Sequence, residues 1–427
     1  MDYMIYDICI IGGGASGMAA AICAGRQHAR TILVERMPRP GKKILATGNG
    51  RCNLGNLALS GQQPDYSAFY RGNPLFIKDV LSHYDTDAMT RFLASVGIYT
   101  HCRGDYIYPM SDQAVSVRNA LERAIEETGY VEIAAETAVR KIEVQETEKQ
   151  GSVFYVYTDK GTCIRARKTI LAAGGCAAPK QGSDGSGYRL ADMTGHTIIK
   201  PLPALTALRC RQAYLKDLAG IRCQAHVALY TENHFLAEDT GEVQLTNYGI
   251  SGIPVFQVSR YAARELDKGK TVTARIDFFP EISRSRLRSM IQSTASEHPD
   301  YTMHEVLSGL MNEKMAAVMA RLALHSQKNL AASRWDGKSL ALLQELLKCH
   351  VLEITDTNGF EQAQVCCGGV DTREINPLTM ESKLLKGLYL TGELLDVDGI
   401  CGGFNLHWAF STGCKAGQNA AKRRKHA

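Results

Sequence analysis

Four stretches of this chain place chemically useful residues at meaningful spacings. The first is Gly12-Gly13-Gly14-Ala15-Ser16-Gly17, a G-x-G-x-x-G sequence that follows a short apolar run at 6–11 and opens a run of small residues reaching about 27. A second apolar run at 31–34 leads to Glu35, eighteen residues beyond Gly17. That order is what a dinucleotide-binding βαβ unit needs, here spanning 4–36 and ending on Arg36. Gly12 makes the tight turn, Gly14 lets the backbone approach a pyrophosphate, and Gly17 lets the helix pack close. The helix start at Ala15 and Ser16 presents the positive end of its dipole to the phosphates. Glu35 can accept both hydroxyls of an adenosine ribose and would repel a 2′-phosphate, so the nucleotide is FAD or NAD rather than NADP.

Two further stretches separate FAD from NAD. Residues 169–175 form a buried strand ending in small residues, where Ala173 and Gly174 allow a dinucleotide to lie against bare backbone. Residues 387–393 form a short strand ending in Gly392-Glu393, positioned to offer a carboxylate to a ribityl chain, which a plain NAD dehydrogenase does not need. Asp396, Asp398, Gly399 and Cys401-Gly402-Gly403 follow, and a helix resumes with Phe404, Asn405 and Leu406. The amides of that turn can stabilise negative charge developing on a reduced flavin. The fourth stretch, a loop at 38–56 rich in Gly, Lys and Asn, brings Lys42, Asn49, Arg51, Cys52 and Asn53 as cofactor contacts, since long loops in α/β domains are usually functional. Arg51 as an anion clamp and Cys52 as a nucleophile are the sharper alternatives to that cofactor role.

These residues need elements to hold them. Helical periodicity covers 76–81, 87–96 and 111–128, the last with a Ser111 cap and a Gly129 stop. Strands follow at 131–133, 139–144 and 153–158, then, after the Asp159-Lys160-Gly161 turn, at 162–166 and 169–173. Residues 201–247 alternate as strands do, notably at 225–230 and 243–246, before a helix begins near Ile253 and Pro254. A strand at 272–278, a helical stretch at 282–347 and a strand at 351–353 complete the middle. The fold class is α/β, a Rossmann-like FAD-binding domain interrupted by a β-rich domain that carries a helical subdomain. The expected boundaries are 1–195 and 366–427 for the first, 196–280 and 346–365 for the second, and 281–345 for the helices.

Several motifs then point to one family. The sequence Ala46-Thr47-Gly48-Asn49-Gly50-Arg51-Cys52-Asn53-Leu54 occurs together with Thr379-Met380-Glu381-Ser382-Lys383 and Gly392-Glu393-Leu394-Leu395-Asp396-Val397-Asp398-Gly399. With Pro179-Lys180-Gln181-Gly182-Ser183-Asp184-Gly185 and Asn247-Tyr248-Gly249-Ile250-Ser251-Gly252, the chain resembles, over nearly its whole length, the BaiN-like bacterial flavoproteins, also labelled aminoacetone-oxidase-like. The resemblance implies an FAD domain built from both chain ends and cofactor contacts that add Val139, near the adenine, to the residues above. It also implies an NAD(P)H-dependent reductase of a C=C bond conjugated to a ketone, with bile-acid-like steroid enones as one substrate class. Many relatives carry His where this chain has Asn247, so no acid-base role is assigned there.

The flavin takes hydride at N5 and passes it on, while the protein positions the substrate. No second G-x-G-x-x-G follows a strand, so NAD(P)H has no domain of its own and visits the substrate cleft as a transient co-substrate. A proton donor is needed opposite the hydride face, and Tyr248 is the candidate catalytic residue. Two other classes stay open: a flavin oxidase of a small amine or ketone, and a non-enzymatic flavin-binding redox or RNA-associated factor.

Bulk properties bound these readings. The chain's 427 residues exceed what one core usually organises, and 45% apolar with 22% charged residues is ordinary globular composition. Most of the net charge of +5 sits in Lys422, Arg423, Arg424 and Lys425, so a nucleic-acid site would rest on a tail alone and none is assigned. Asp2 and Asp7 and the break at Gly12 argue against a signal peptide, and no apolar run approaches the ~18–20 residues of a membrane span. Thirteen cysteines without a C-x-x-C pair or zinc spacing suit reduced thiols in a cytoplasm, and no metal is expected. Adjacent Cys366-Cys367 could hint at disulfide exchange but reads as incidental. The oligomeric state is left open.

Overall fold

The computed structural model describes residues 5–61, 64–147, 151–325 and 329–422. Met4, where the βαβ unit was expected to begin, and tail residues Arg423, Arg424 and Lys425 lie outside them. The chain divides into two compact units, 1–201 with 365–427 and 202–364.

The first unit is built on a seven-stranded sheet in the order 131–134, 31–34, 5–11, 163–171, 151–158, 139–147, with 388–390 paired to 163–171. Strands Ile5–Ile11, Thr31–Val34 and Val131–Ala134 are joined in parallel, Ile5–Ile11 and Leu388–Leu390 each pair in parallel with Cys163–Leu171, and Thr31–Val34 is buried throughout. Burial on both faces explains its continuous apolar run. Strand Cys163–Leu171 does two jobs. Its first half pairs antiparallel with Gly151–Thr158, and its second half pairs in parallel with Leu388–Leu390. The sequence read it as two strands because Arg165, Arg167 and Lys168 interrupt the apolar run. The chain stays extended through them, with the Arg165 guanidinium lying over the Tyr155 ring.

Helix Ala15–Gly25 packs along helix Phe404–Ala421 backbone to backbone. A Cβ at Gly413 or Gly417 would fall on the carbonyl oxygen of Ser16 or Ala20. Only glycine permits that approach, and it holds the two ends of the chain together. Helix Ala114–Glu127 starts two residues later than the Ser111 cap predicts. Its N-cap is Gln113 and no side chain caps it, while Ser111 Oγ accepts from the Gln113 N–H instead. The hairpin Thr100–Arg103/Tyr106–Pro109, between two stretches read as helical, turns on Gly104 at positive φ.

The second unit is a closed six-stranded barrel in the order 208–210, 249–252, 234–246, 222–231, 272–277, 350–357. Its hairpin Arg222–Thr231/His234–Thr246 turns on Glu232 and Asn233, both at positive φ, which suits the twist of paired strands. Alternation shows in Val272–Asp277, where Val272, Ala274 and Ile276 are fully buried. Helix Ile253–Asp267 has Pro254 in its first turn, and helices Arg284–Glu297, Met303–Ser308, Glu313–Leu324 and Gly337–Lys348 occupy the stretch that reads as helical. Leu287, Met319 and Leu343 join the barrel residues in one apolar core.

Candidate cofactor site

The ends of the parallel strands in the first unit form the site, as expected for an open α/β sheet. Gly12 leaves strand Ile5–Ile11 at φ +103, and a Cβ there would stand 2.5 Å from the Ala172 carbonyl oxygen. A Cβ at Gly17 would run into the Gly12 carbonyl, which fixes the helix against the turn. Gly14 is different, because no protein atom lies within 4 Å of its Cβ position. It borders open space and also caps a helix that has no side-chain cap and no acid in its first turn.

Glu35 is 7% exposed and sits at the end of the second strand. The Gly13 N–H donates to Glu35 Oε2 at 2.6 Å and the Met37 N–H to Oε1 at 2.7 Å. Burial pushes the Glu35 carboxyl up, against the pull of those amides. Next to it, Arg36 pairs with Asp184. Val139 opens the buried start of strand Val139–Thr147, two residues after Thr137, whose N–H donates to the Glu35 carbonyl at 2.9 Å.

The loop after the second strand is tied to the glycine turn by the Gly41 N–H, which donates to the Gly13 carbonyl at 2.7 Å. It then folds into tight turns over Lys43–Gly50, with Gly48 and Asn49 left-handed. Lys42 opens this turn, but the neighbouring Lys43 reaches Glu393, with Nζ 2.7 Å from Oε2. Lys43 was missed in the sequence because nothing local marks one lysine of the pair. Arg51 is exposed, whereas Cys52 is fully buried at φ +63 and burial pushes its thiol up to about 12. A buried, protonated thiol is a poor nucleophile, so Cys52 is a packing residue of the loop.

Gly392 and Glu393 follow strand Leu388–Leu390. The Gly392 N–H donates to Thr412 Oγ1 at 3.0 Å, and its carbonyl accepts from Trp408 Nε1 at 3.1 Å. The Glu393 carboxylate also accepts from the Cys366 N–H at 3.1 Å. Ala173 and Gly174, the latter at φ +69, continue from strand Cys163–Leu171 beside it. Asp398 is buried in the short strand Val397–Gly399 opposite Arg71.

Gly403, at φ +94, caps the last helix with neither a side-chain cap nor an acid in the first turn. Phe404 stacks on Phe69 at 4.9 Å, and Asn405 clamps Gly399 by accepting from its N–H and donating to its carbonyl, both at 2.8 Å. Leu406 packs against the core. Asn53 lies next to this turn: a Cβ on Gly403 would stand 2.5 Å from Asn53 Oδ1, a buried acceptor with no hydrogen-bond partner among the described residues.

The expected cofactor residues of the first unit thus line the strand ends and two helix starts. Tyr248 lies in the second unit, in the turn between strands His234–Thr246 and Gly249–Gly252. Its carbonyl accepts from the Cys210 N–H at 2.9 Å and the Arg209 guanidinium lies over its ring.

A dinucleotide with a flavin fits these groups. Two uncapped helix starts offer amides to negative charge, the Gly14 position is open, and the orphaned Asn53 acceptor awaits a donor. A family model described as the HI0933-like protein Rossmann domain matches residues 6–419. The chain belongs to this family. The 3-dehydro-bile acid delta(4,6)-reductase of Clostridium scindens is 44% identical to this HI0933-like chain over 418 residues, covering 97% of the chain and 99% of the relative. The ribosomal RNA dihydrouridine synthase of Escherichia coli is 26% identical over 415 residues, covering 97% and 98%. Among solved structures, 3-ketosteroid delta1-dehydrogenase from Sterolibacterium denitrificans in complex with 1,4-androstadiene-3,17-dione matches with a TM-score of 0.50 at 11% identity, covering 98% and 99%. That likeness concerns the fold. The BaiN-like resemblance and the Rossmann-like fold class therefore hold, and the HI0933-like chain is an FAD-binding flavoprotein oxidoreductase. No helix among the described residues is long and apolar enough to cross a membrane.

Proposed function

We propose that this flavoprotein reduces a C=C bond conjugated to a ketone, using NAD(P)H as transient co-substrate. The observation that carries this reading is the 44% identity, across 97% of the chain, to a reductase acting on a 3-dehydro bile acid. A steroid enone is accordingly the substrate class to try first. When bound, the flavin supplies hydride chemistry at N5. The chain's own residues hold and tune it: Glu35 takes the adenosine ribose, the Gly12–Gly17 turn the pyrophosphate, Glu393 with Lys43 the ribityl chain, and the Gly403 helix start the charge of the reduced ring. The remaining contacts are Arg36, Lys42, Asn49, Arg51, Asn53, Val139, Ala173, Gly174, Gly392, Asp398 and residues 404–406.

Tyr248 is the proton donor in this reading. The Arg209 guanidinium lies 5.5 Å from its ring centroid. Tyr248→Phe is expected to retain FAD and lose about a hundredfold in turnover, the size of a general-acid contribution. Undiminished turnover removes Tyr248 from the mechanism.

A second reading is favoured by the full-length relatives named ribosomal RNA dihydrouridine synthase. The uracil C5=C6 bond is conjugated to a carbonyl, so the same hydride step would serve it. The two readings separate in one experiment: anaerobic bleaching of the flavin by NADH or NADPH, then reoxidation by steroid enones, simpler enones or ribosomal RNA. Reoxidation by steroid enones supports the first reading, and reoxidation by RNA alone supports the second. Oxygen consumption with an amine and no NAD(P)H makes the protein an oxidase and overturns both. The thirteen cysteines are consistent with a cytoplasmic location.

A further inference from the structure

Two cysteines far apart in the chain meet beside the proposed ribityl carboxylate. Cys176 follows Gly174-Gly175, and Cys366 lies in the buried strand Val365–Val370 of the same unit. The Cys176 N–H donates to Cys366 Sγ at 3.1 Å, and the two side chains influence each other. The space between them and Glu393 is held open by glycine. A Cβ on Gly175 would stand 2.9 Å from Glu393 Oε1, 2.9 Å from Tyr188 Oη and 3.1 Å from Cys366 Sγ. A Cβ on Gly185 would stand 2.7 Å from Cys176 Sγ. Cys176 is half-buried, and Cys366 is 1% exposed.

We propose that Cys176 and Cys366 form a redox-active pair that closes to a reversible disulfide when a hydroperoxide reaches the cofactor unit. The Cys176 thiolate attacks the terminal peroxide oxygen. The O–O bond breaks, the alcohol or water leaves carrying the proton, and Cys176 becomes a sulfenic acid. Cys366 sulfur then attacks Cys176 sulfur, and the displaced hydroxide leaves as water with the Cys366 proton. Two thiols have lost two electrons to the peroxide, and an external dithiol reverses the closure.

The division of labour follows from the surroundings. The Cys366 side chain holds the Cys176 thiol below its ordinary range, against burial and the Glu393 and Asp184 carboxylates. The Cys176 side chain, with burial and Glu393, pushes Cys366 up, as suits a resolving thiol that reacts second. Closure has a built-in consequence, because the Cys366 N–H is one of the groups that orients Glu393.

The test uses the full FAD-bound chain, reduced, freed of thiol under argon and titrated with hydrogen peroxide. Remaining thiols are alkylated and the protein is digested without reductant for mass spectrometry. The expected product is a peptide pair joined through Cys176 and Cys366, short of two hydrogens, present in the majority of chains and released by dithiothreitol. It forms at doses that leave the exposed Cys102 and Cys163 alkylatable. Cys176→Ser abolishes it, and Cys366→Ser leaves a Cys176 sulfenic acid that dimedone traps. The wild-type map stands alone should Cys366→Ser fail to fold. The proposal is overturned if Cys176 stays alkylatable throughout, is oxidised to a sulfinic acid without ever joining Cys366, or if Cys23 and Cys414 cross-link in its place.

Discussion

Four helices of the barrel unit and two of the dinucleotide unit begin in different ways. In the barrel unit, the four helices of the helical stretch each start on a side-chain cap, from Ser283, Thr302, Asn312 and Asp336. Thr302 and Glu305 cap reciprocally. In the dinucleotide unit, the helices that follow Gly14 and Gly403 start on glycine with no side-chain cap, although their neighbours use Asn73 and Asp85. A capped helix spends its first amides on its own chain, whereas an uncapped one leaves them for a ligand. Uncapped starts also occur on Gly252 in the barrel unit and on Gln113 in the dinucleotide unit, so what singles out Gly14 and Gly403 is the open space beside the one and the unpartnered Asn53 acceptor beside the other.

Gly17→Val gives the largest expected effect, because its side chain would enter the space of the Gly12 carbonyl. Overpacking of this kind destabilises by on the order of 3 kcal/mol or more. Chemical denaturation should show a loss confined to the dinucleotide unit, with the barrel unit's transition unmoved.

Both units also bury histidines that burial keeps neutral, which tests whether the comparison extends to acid stability. Burial holds His407 in the first unit and His350 in the second down to about 4, from an ordinary value near 6.5. Between those values the unfolded chain binds a proton that the native unit excludes. Stability is therefore full above about pH 6.5 and falls as pH drops towards 4, by on the order of 3 kcal/mol per histidine. Denaturation midpoints from pH 7 to pH 4 should fall for both units, and His350→Leu should flatten the fall in the barrel unit alone.

Asn405→Ala is a smaller perturbation. It removes both hydrogen bonds to Gly399 and leaves those backbone groups to find other partners, at about 1–3 kcal/mol. The midpoint of the dinucleotide unit should drop accordingly, with a modest loss of FAD retention.

How much of this was legible depended on what carried the information. Gly12 and Gly17 could be read because their backbone geometry excludes side chains, Gly14 because a ligand has to approach its backbone, and Glu35 because its distance along the chain is fixed by the unit. The barrel's strands showed only where burial alternates cleanly, so most of hairpin Arg222–Thr231/His234–Thr246, with its partly exposed faces, was invisible. Lys43 and Glu393 stand 350 positions apart, and Cys176 and Cys366 stand 190 apart, so no local pattern could join them. The second half of strand Cys163–Leu171, which brings Leu388–Leu390 and hence Glu393 to the site, is a feature of topology alone.

In the proposed site the Gly14 helix start is kept open for the cofactor's pyrophosphate. Gly14→Ala tests it directly, since the new methyl group meets no protein atom within 4 Å and fills only the space assigned to FAD. The expected result is an unchanged denaturation midpoint with FAD affinity reduced at least tenfold, read from flavin absorbance across a dilution series. A variant that folds and retains FAD as tightly as the parent would contradict the account.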